Sequence, residues 1–328
     1  MTEGDKKKLI IIAGPTAIGK TAASVRLAKE IGGEIISGDS MQVYRGMDIG
    51  TAKVSQEEMQ GVPHHLIDIL DPDTDFNAVL FQQLAKEACD KIYANGHIPI
   101  VCGGTGFYIQ ALLYDIDFTE EEERDDNYRR ELEVIAAEQG GERLADMLKD
   151  TDPITAAVID LKNTKRVIRA LEYYKLHQSP IAVHNEEQAK RRDDSPYDYR
   201  FFVLTGDREA LYKRIDARVD KMISEGLLQE VQGLKNAGIR PDSTAAQAIG
   251  YKEIYTYLDG KCSLEEAVER IKTDSRRYAK RQLTWFKREK NAIWIEADKG
   301  DPLDDIRKYL YELRYRRESC RACKEVGA

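Results

Sequence analysis

The chain has 328 residues, 42% of them hydrophobic, which is enough for two domains or for one large domain with an insertion. Its formal net charge is −8, so the chain as a whole does not attract nucleic acid, and any such partner must bind a local basic patch. No apolar run reaches the ~18 residues of a membrane span, and no signal-peptide core follows the N-terminus. A cytoplasmic protein without a membrane partner is therefore expected.

The first part of the chain alternates strand and helix patterns, as a parallel α/β sheet does. Helices are predicted from Lys20 to about Ile31 and from about Phe76 to Ala94, where apolar residues recur at helical spacing. The predicted strands are KLIIIAG at 8–14, EIISGDS with its end at Asp39, HHLIDIL at His64–Leu70 and HIPIVCGGTG at 97–106. Residues 1–115 are therefore predicted to be the first part of an α/β core.

A different pattern occupies residues 116–198, which are predicted to be an inserted all-helical domain. An acidic run at Asp115–Asp126, with eight acidic side chains against one arginine, is interpreted as a solvated face. Two or three helical segments follow it. The polar stretch NEEQAKRRDDSPYD at 185–198 is predicted to be a linker that closes the insertion.

The strand and helix pattern resumes in residues 199–300, the predicted second part of the core. RFFVLTG at Arg200–Gly206 and AIWIEA at Ala292–Ala297 are predicted strands. Between them, Ser263 and Glu266 form a capping box that begins a long helix.

The remaining residues, 301–328, are a predicted C-terminal tail. It carries a C-x-x-C at Cys320 and Cys323, and the sequence has five cysteines in all. No second pair and no following histidine completes a zinc site, so reduced thiols are expected there.

The stretch GPTAIGKT at Gly14–Thr21 matches the phosphate-binding pattern G-x-x-x-x-G-K-[ST] between a predicted strand and a predicted helix. We expect the backbone amides of Thr16–Lys20 to face a diphosphate, Lys20 to neutralise it, and the Thr21 hydroxyl to bind Mg²⁺. The pattern indicates a P-loop NTPase-like sheet but does not say which di- or triphosphate is bound. The predicted diphosphate-binding residues are Gly14, Pro15, Thr16, Ala17, Ile18, Gly19, Lys20 and Thr21.

Asp39 ends the predicted strand that follows the loop, and strand carboxyl ends line the ligand crevice of such sheets. Its carboxylate is interpreted either as a site group, holding metal-bound water or accepting a proton, or as the cap of a turn with Ser40. Thr105 has a similar place after the next apolar strand. No predicted strand ends in the Asp-Glu or Asp-x-x-Gly pattern typical of ATPases and GTPases, which weakens an NTPase interpretation.

A basic stretch, RRYAKRQLTWFKREK at Arg276–Lys290, has seven Lys or Arg against one Glu, a local charge of +6. Its aromatic residues are Tyr278, Trp285 and Phe286. Two interpretations remain open: the aromatics pack in the core below solvated cations, or the helix contacts single-stranded or looped RNA.

Two pairs of arginines recur at helical spacing. Arg166 and Arg169 share one face of a helix in the insertion, and Arg214 and Arg218 lie one turn apart in the second part of the core. Either pair binds phosphate or makes surface ion pairs.

Several stretches, taken in order, resemble the tRNA dimethylallyltransferase family over about residues 9–290. The phosphate loop is generic, but DSMQVYRGMDIGTAK and YAKRQLTWF are highly specific. Departures from the family pattern are few, with Ile18 where a serine is common and a glycine at the variable position 38. The zinc-finger extension of eukaryotic members is not expected, which fits a bacterial-type member. The further stretches that carry the resemblance are PHHLIDILDP, GGTGFYIQALL, NTKRVIRALE and AIGYKEIYTYL.

The resemblance implies transfer of a dimethylallyl group from dimethylallyl diphosphate to N6 of the adenosine 3′ to the tRNA anticodon. Asp39 is then the general base, Lys20 and Arg218 hold the diphosphate beside Mg²⁺, and Thr105 lies along the reaction channel. The implied catalytic residues are Thr16, Lys20, Asp39 and Arg218. Together with the basic helix, the residues expected to contact the anticodon stem-loop of tRNA are Asp39, Ser40, Met41, Gln42, Thr105, Arg129, Lys165, Arg166, Val167, Ile168, Arg169, Arg276, Arg277, Lys280 and Arg281.

Three other functions are kept as alternatives. A small-molecule kinase of the same fold would turn over ATP. An adenylate isopentenyltransferase would use the same donor with a free nucleotide, but would need neither the insertion nor the basic helix. A non-catalytic RNA-binding protein would not need Lys20, Thr21 and Asp39. A monomer is expected.

Overall fold

This computed structural model describes residues 6–116, 118, 126–191 and 195–310. The chain divides into two compact units, which we call the core unit, Met1–Leu112 with Tyr197–Ala328, and the inserted unit, Leu113–Pro196. The insertion predicted from the sequence is 116–198. Cys320 and Cys323, most of the acidic run and positions 192–194 of the predicted linker lie outside the described residues.

The core unit is built on a parallel sheet of six strands in the order β3-β2-β4-β1-β5-β6. The central strand β1 pairs with β4 and β5, so that Ile11 faces Val101 on one side and Phe201 on the other. The parallel α/β sheet flanked by helices that the sequence predicts is confirmed. The strands are β1 Lys7–Ala13, β2 Gly33–Ser37, β3 His64–His65, β4 Ile98–Gly103, β5 Tyr197–Thr205 and β6 Ala292–Glu296.

In the core unit, helices flank the sheet and alternate with its strands as predicted, and α5–α9 belong to the inserted unit. Residues 302–310 are also helical. The helices are α1 Lys20–Ile31, α2 Gln56–Met59, α3 Ala78–Ala94, α4 Gly106–Leu113, α5 Asp126–Gln139, α6 Gly141–Thr151, α7 Pro153–Val158, α8 Thr164–His177, α9 Ile181–Arg191, α10 Arg208–Glu225, α11 Leu227–Asn236, α12 Tyr251–Leu258 and α13 Leu264–Phe286.

The apolar run of β1 explains why this strand is central. Its residues Leu9–Ala13 are at most 5% exposed, as expected for a parallel strand with helices on both faces. Ile10 and Ile12 belong to the main cluster of buried side chains, with Phe202 of β5 and Leu27 of α1. The capping box predicted at Ser263 and Glu266 is confirmed at the start of α13.

The predicted strand at His64–Leu70 is wrong beyond its first two residues. Leu66 and Asp68 have φ of +63° and +55°, a left-handed conformation that ends an extended chain. β2 likewise ends at Ser37, two residues before Asp39, which therefore lies in the loop after the strand.

The inserted unit contains five helices in its described residues, α5–α9, where the sequence predicts two or three. The extra breaks are short, at Gly140 with φ of +84° and at Asp152, which caps α7 by accepting the Thr155 N–H. α9 runs to Arg191, so the first half of the predicted linker is helical.

No helix in the described ranges of either unit combines the length and apolar character needed to cross a membrane.

Candidate functional site at the carboxyl edge of the sheet

The loop between β1 and α1 has the conformation of a phosphate cradle. Gly14 has φ of +148°, and a Cβ there would lie 2.6 Å from the Leu204 carbonyl oxygen, so a larger residue does not fit. Gly19 is left-handed at φ of +95° and directly precedes α1, whose N-terminus has no side-chain cap. Amides at a helix start, with the positive end of the helix dipole, are groups that favour a bound anion.

One amide of the loop is used differently from the prediction. The Thr16 N–H donates to Gln282 Oε1 of α13 at 3.0 Å, so it faces the protein, whereas the sequence predicts that it faces a phosphate. The acceptor lies on a helix that is far away in the sequence, so no local pattern reveals that this donor is already used.

Lys20 lies over the loop, and its ammonium donates to the Pro15 carbonyl at 2.7 Å. Burial lowers the pKa of Lys20 to about 8, and Arg218 adds to the lowering while Asp39 opposes it. Burial removes the hydration that stabilises the charged ammonium, and an anion bound beside it would replace that stabilisation.

Asp39 fits both of its sequence interpretations. Its Oδ1 accepts the Met41 N–H at 2.8 Å, which is a turn cap, and its side chain also lines a cavity with Thr16, Lys20 and Arg218. Thr105 follows β4, and its N–H donates to the Gly38 carbonyl at 3.2 Å. The Thr105 side chain lies beside Tyr278.

The two arginines of α10 are oriented differently. Arg218 Nη1 donates to Thr16 Oγ1 at 3.1 Å, and burial lowers its pKa. Arg214, one turn earlier, forms an ion pair with Asp298 at 2.9 Å. Arg218 therefore lies at the cavity, where the phosphate-binding interpretation places it. Arg214 makes an ion pair away from the cavity, as in the other interpretation.

Two adjoining cavities share Thr16, Asp39 and Arg218. The smaller, of about 90 Å³, is polar and contains Lys20 and Thr21. The larger, of about 340 Å³, has an apolar wall. The side chains of that wall are Ile215, Val219, Met222, Ala248, Ile249 and Ile271.

The donor atoms of the smaller cavity suit Mg²⁺. The hydroxyls of Thr21 and Ser37 and the carboxylate of Asp39 line it together, and hard oxygen ligands are those that Mg²⁺ prefers. The described residues contain no group of three or more His, Cys, Asp and Glu that could hold a metal ion. The set fits an ion that takes most of its ligands from phosphate and water.

Comparison with known proteins gives the family. A family model described as IPP transferase matches residues 42–289, about three quarters of the chain, and one described as isopentenyl transferase matches residues 7–72. The chain belongs to the IPP transferase family.

Two curated relatives and two solved structures illustrate the similarity. The tRNA dimethylallyltransferase of Lachnoclostridium phytofermentans is 57% identical over 88% of this chain and 91% of its own length. That of Geobacillus kaustophilus is 50% identical over 93% and 96%. The tRNA isopentenylpyrophosphate transferase of Bacillus halodurans has a TM-score of 0.71 at 45% identity, covering 97% of this chain and all of its own. A eukaryotic dimethylallyltransferase acting on tRNA scores 0.75 at 32% identity, covering 89% and 74%. The family resemblance read from the sequence is confirmed.

In this IPP transferase, the cations of α13 are not equivalent. Arg276 is held by Asp216 at 2.5 Å and Arg277 pairs with Asp274 at 3.3 Å. Lys280 and Arg281 are exposed, and Arg281 lines the larger cavity.

The aromatic residues of α13 face the protein. Phe286 is fully buried and packs edge-on against Phe201 at 6.1 Å between ring centres. Tyr278 lines both cavities, and Trp285 packs on Gly106. The first interpretation of this stretch, core aromatics below outward cations, describes Phe286 and Trp285.

Side-chain contact of Val167 and Ile168 with RNA is excluded. They are 0% and 4% exposed in the core of the inserted unit, because the helical repeat of α8 turns them inward between Lys165, Arg166 and Arg169, which are exposed. Arg129 of α5 forms ion pairs with Glu133 at 3.3 Å and Glu172 at 3.0 Å.

Sequence reasoning missed Gln282 and Glu230. Glu230 of α11 accepts the N–H groups of Asp48, Ile49 and Gly50 at 2.7, 2.8 and 3.0 Å. It also accepts the Tyr251 hydroxyl at 2.5 Å. Gly50 lines the larger cavity, so Glu230 holds part of its wall. Gln282 lies within the family-specific stretch YAKRQLTWF, and that was the one available signal.

Proposed function

We propose that this IPP transferase transfers the dimethylallyl group of dimethylallyl diphosphate to N6 of the adenosine 3′ to the tRNA anticodon and releases diphosphate. The observation that carries the proposal is the pair of adjoining cavities. A cationic end beside the phosphate loop continues into an apolar wall, and Asp39 lies where the two cavities meet. The names of the 57% and 50% identical relatives support the choice of acceptor.

Lys20, Arg218 and the amides at the start of α1 bind the diphosphate in this proposal. Negative charge grows on the diphosphate as the carbon–oxygen bond to the prenyl group breaks. Cations fixed beside that position stabilise the transition state more than the bound donor. The apolar wall formed by α10, α13 and the segment before α12 receives the hydrocarbon.

Asp39 acts as the general base. The adenine N6 amine is a weak nucleophile because its lone pair is delocalised into the ring, so a carboxylate that takes its proton as the new carbon–nitrogen bond forms lowers the barrier. The adenine must leave the stacked anticodon loop, which costs a few kcal/mol. Contacts elsewhere on the RNA offset that cost, and the exposed cations of α13 and α8 are the proposed source.

Mg²⁺ is proposed as the metal, with Thr21 as its protein ligand beside the diphosphate oxygens. Bound there, it would supply a further positive charge against the leaving diphosphate. The protein is proposed to act as a monomer.

One assay tests the function directly. The purified protein is incubated with radiolabelled dimethylallyl diphosphate and either an anticodon stem-loop or AMP. We expect label in the stem-loop, release of pyrophosphate, and little label in AMP, because AMP does not reach the RNA-binding cations. Prenylation of AMP as efficient as that of the stem-loop would favour the adenylate isopentenyltransferase alternative, and ATP-dependent phosphorylation of a small molecule would favour the kinase.

A further inference from the structure

We infer that Gln282 is a positioning residue for the proposed prenyl transfer: its side-chain amide fixes the spacing between the phosphate loop and the loop that carries Asp39. The inference rests on the proposed function for its kinetic test. Its structural test, given below, does not.

Gln282 makes two hydrogen bonds to the backbone of two different loops. Its Oε1 accepts the Thr16 N–H at 3.0 Å, and its Nε2 donates to the Gly104 carbonyl at 3.0 Å. The side chain is 5% exposed, so both bonds are shielded from water. Thr16 follows β1 and Gly104 follows β4, and the two strands are neighbours in the sheet.

The loop after β4 is in turn joined to the loop of Asp39. The Gly38 N–H donates to the Cys102 carbonyl at 2.8 Å, and the Thr105 N–H donates to the Gly38 carbonyl at 3.2 Å. A Cβ on Gly103 would lie 2.2 Å from the Gly38 carbonyl oxygen, so these backbones are in direct contact. A displacement at Gln282 therefore reaches Gly38 and the adjacent Asp39.

The contact at Gly104 has no slack. A Cβ on Gly104 would lie 2.0 Å from Gln282 Nε2, so this loop approaches α13 as closely as a glycine allows. The spacing is set by van der Waals contact as well as by the hydrogen bonds.

A glutamine suits this position because it accepts and donates at once. Glutamate of the same shape accepts the Thr16 N–H but, when ionised, turns a second acceptor toward the Gly104 carbonyl. Leucine fills similar volume and offers neither bond. Glutamate leaves the Gly104 carbonyl unpaired, and leucine leaves both the Gly104 carbonyl and the Thr16 N–H unpaired. Lys20, Arg218 and Asp39 stay in the chain in both variants.

The kinetic test compares Gln282→Glu and Gln282→Leu with the wild type, per folded molecule. We expect kcat for stem-loop prenylation to fall about 10- to 100-fold, because even a small misplacement of the prenyl donor relative to the acceptor slows the reaction this much. The Kd of inorganic pyrophosphate should change less than about threefold. Thr284→Ala is the control, since Thr284 is exposed on the same helix and donates to the Lys280 carbonyl of its own helix; it should match the wild type.

The structural test is hydrogen exchange of the peptide that contains Thr16. We expect faster exchange of its amide in Gln282→Leu, which offers no acceptor, and little change in Gln282→Glu, which keeps one, or in Thr284→Ala. Wild-type kcat in a folded Gln282→Leu protein, or unchanged exchange at Thr16 in that protein, would overturn the inference. If the wild type prenylates no RNA, the proposed function fails, and the exchange result still decides whether Gln282 holds the loop.

Discussion

Lys20 lies in surroundings that oppose its own charge, and this makes its diphosphate binding depend on pH. Burial lowers its pKa to about 8, so the free protein carries the ammonium below pH 8 and loses it as the pH rises through that value. An anion binds the charged form better, and binding therefore raises the pKa. We expect pyrophosphate affinity to weaken above about pH 8, measured by calorimetry.

Lys20→Arg provides the control, because a guanidinium stays charged across this range. The ionisation of pyrophosphate itself is the same in both experiments. The ratio of the wild-type affinity to the Lys20→Arg affinity therefore isolates the effect of Lys20 ionisation. A ratio that does not vary with pH would show that Lys20 keeps its charge.

Asp39 has two roles that a substitution can separate. Asn at this position can still accept the Met41 N–H, as Asp39 Oδ1 does, but is not a base. We expect Asp39→Asn to reduce single-turnover prenylation by about 10²- to 10⁴-fold with pyrophosphate affinity nearly unchanged. An equal loss of pyrophosphate affinity in the presence of Mg²⁺ would point to a role in ordering the metal.

Arg218 and Arg214 form a matched pair for testing the diphosphate site. Arg218 contacts Thr16 in the phosphate loop, and Arg214 pairs with Asp298. We expect Arg218→Ala to weaken pyrophosphate binding and to slow transfer further, because the charge it faces grows in the transition state. Arg214→Ala, which removes the same charge one turn away, should bind pyrophosphate like the wild type. Similar losses in the two variants would mean that general electrostatics, not contact, explains the effect.

At the scale of elements, α11 stabilises a loop that has no regular structure. Glu230 satisfies three successive N–H groups at Asp48–Gly50 and the Tyr251 hydroxyl. We expect Glu230→Ala to lower the free energy of unfolding by about 1–3 kcal/mol, because several donors lose their acceptor. Urea denaturation measures the change.

Two milder variants calibrate that result. Tyr251→Phe removes one of the four donors and should cost less than Glu230→Ala. Glu225→Ala removes a surface carboxylate paired with Lys221 at 3.5 Å and should cost about 0.5 kcal/mol or less. A Glu230→Ala protein as stable as Glu225→Ala would contradict the role given to Glu230.

At the scale of the whole molecule, a net charge of −8 makes RNA binding depend on local cations. Each phosphate contact releases counterions, so affinity for the stem-loop should fall steeply with salt. We expect Lys280→Ala to flatten the slope of log affinity against log salt by about one unit or less. Arg276→Ala should change it less, because Asp216 already holds that guanidinium. Slopes unchanged in both variants would remove α13 from the RNA interface.

The sequence predicts those parts of the molecule that depend on local pattern. The apolar run of β1, the phosphate loop and the cap at Ser263 are all coded within a few neighbouring residues. The hydrogen bonds by which Gln282 and Glu230 hold their loops are not coded locally, since Thr16 and Gln282 are 266 positions apart and Gly50 and Glu230 are 180 apart. In the sequence, a polar residue on a helix face looks the same whether it contacts water or a backbone group far along the chain. The left-handed turn after β3 was missed because its residues are mostly apolar and fit a strand pattern.

Glu230 and Gln282 hold their loops almost entirely by main-chain atoms. Such bonds do not depend on which side chains the loop carries. Substitutions at Asp48 or Ile49 can therefore keep the hydrogen bonds to Glu230, whereas substitutions at Glu230 remove them. Saturation mutagenesis around α11 would therefore give an uneven map, with an intolerant position at Glu230 facing more tolerant positions at Asp48 and Ile49. Gly50 and Gly104, where a Cβ has no room, would be intolerant for their own reason. Variation in the loops could then alter the shape of the cavity without the protein having to rebuild the supports behind it.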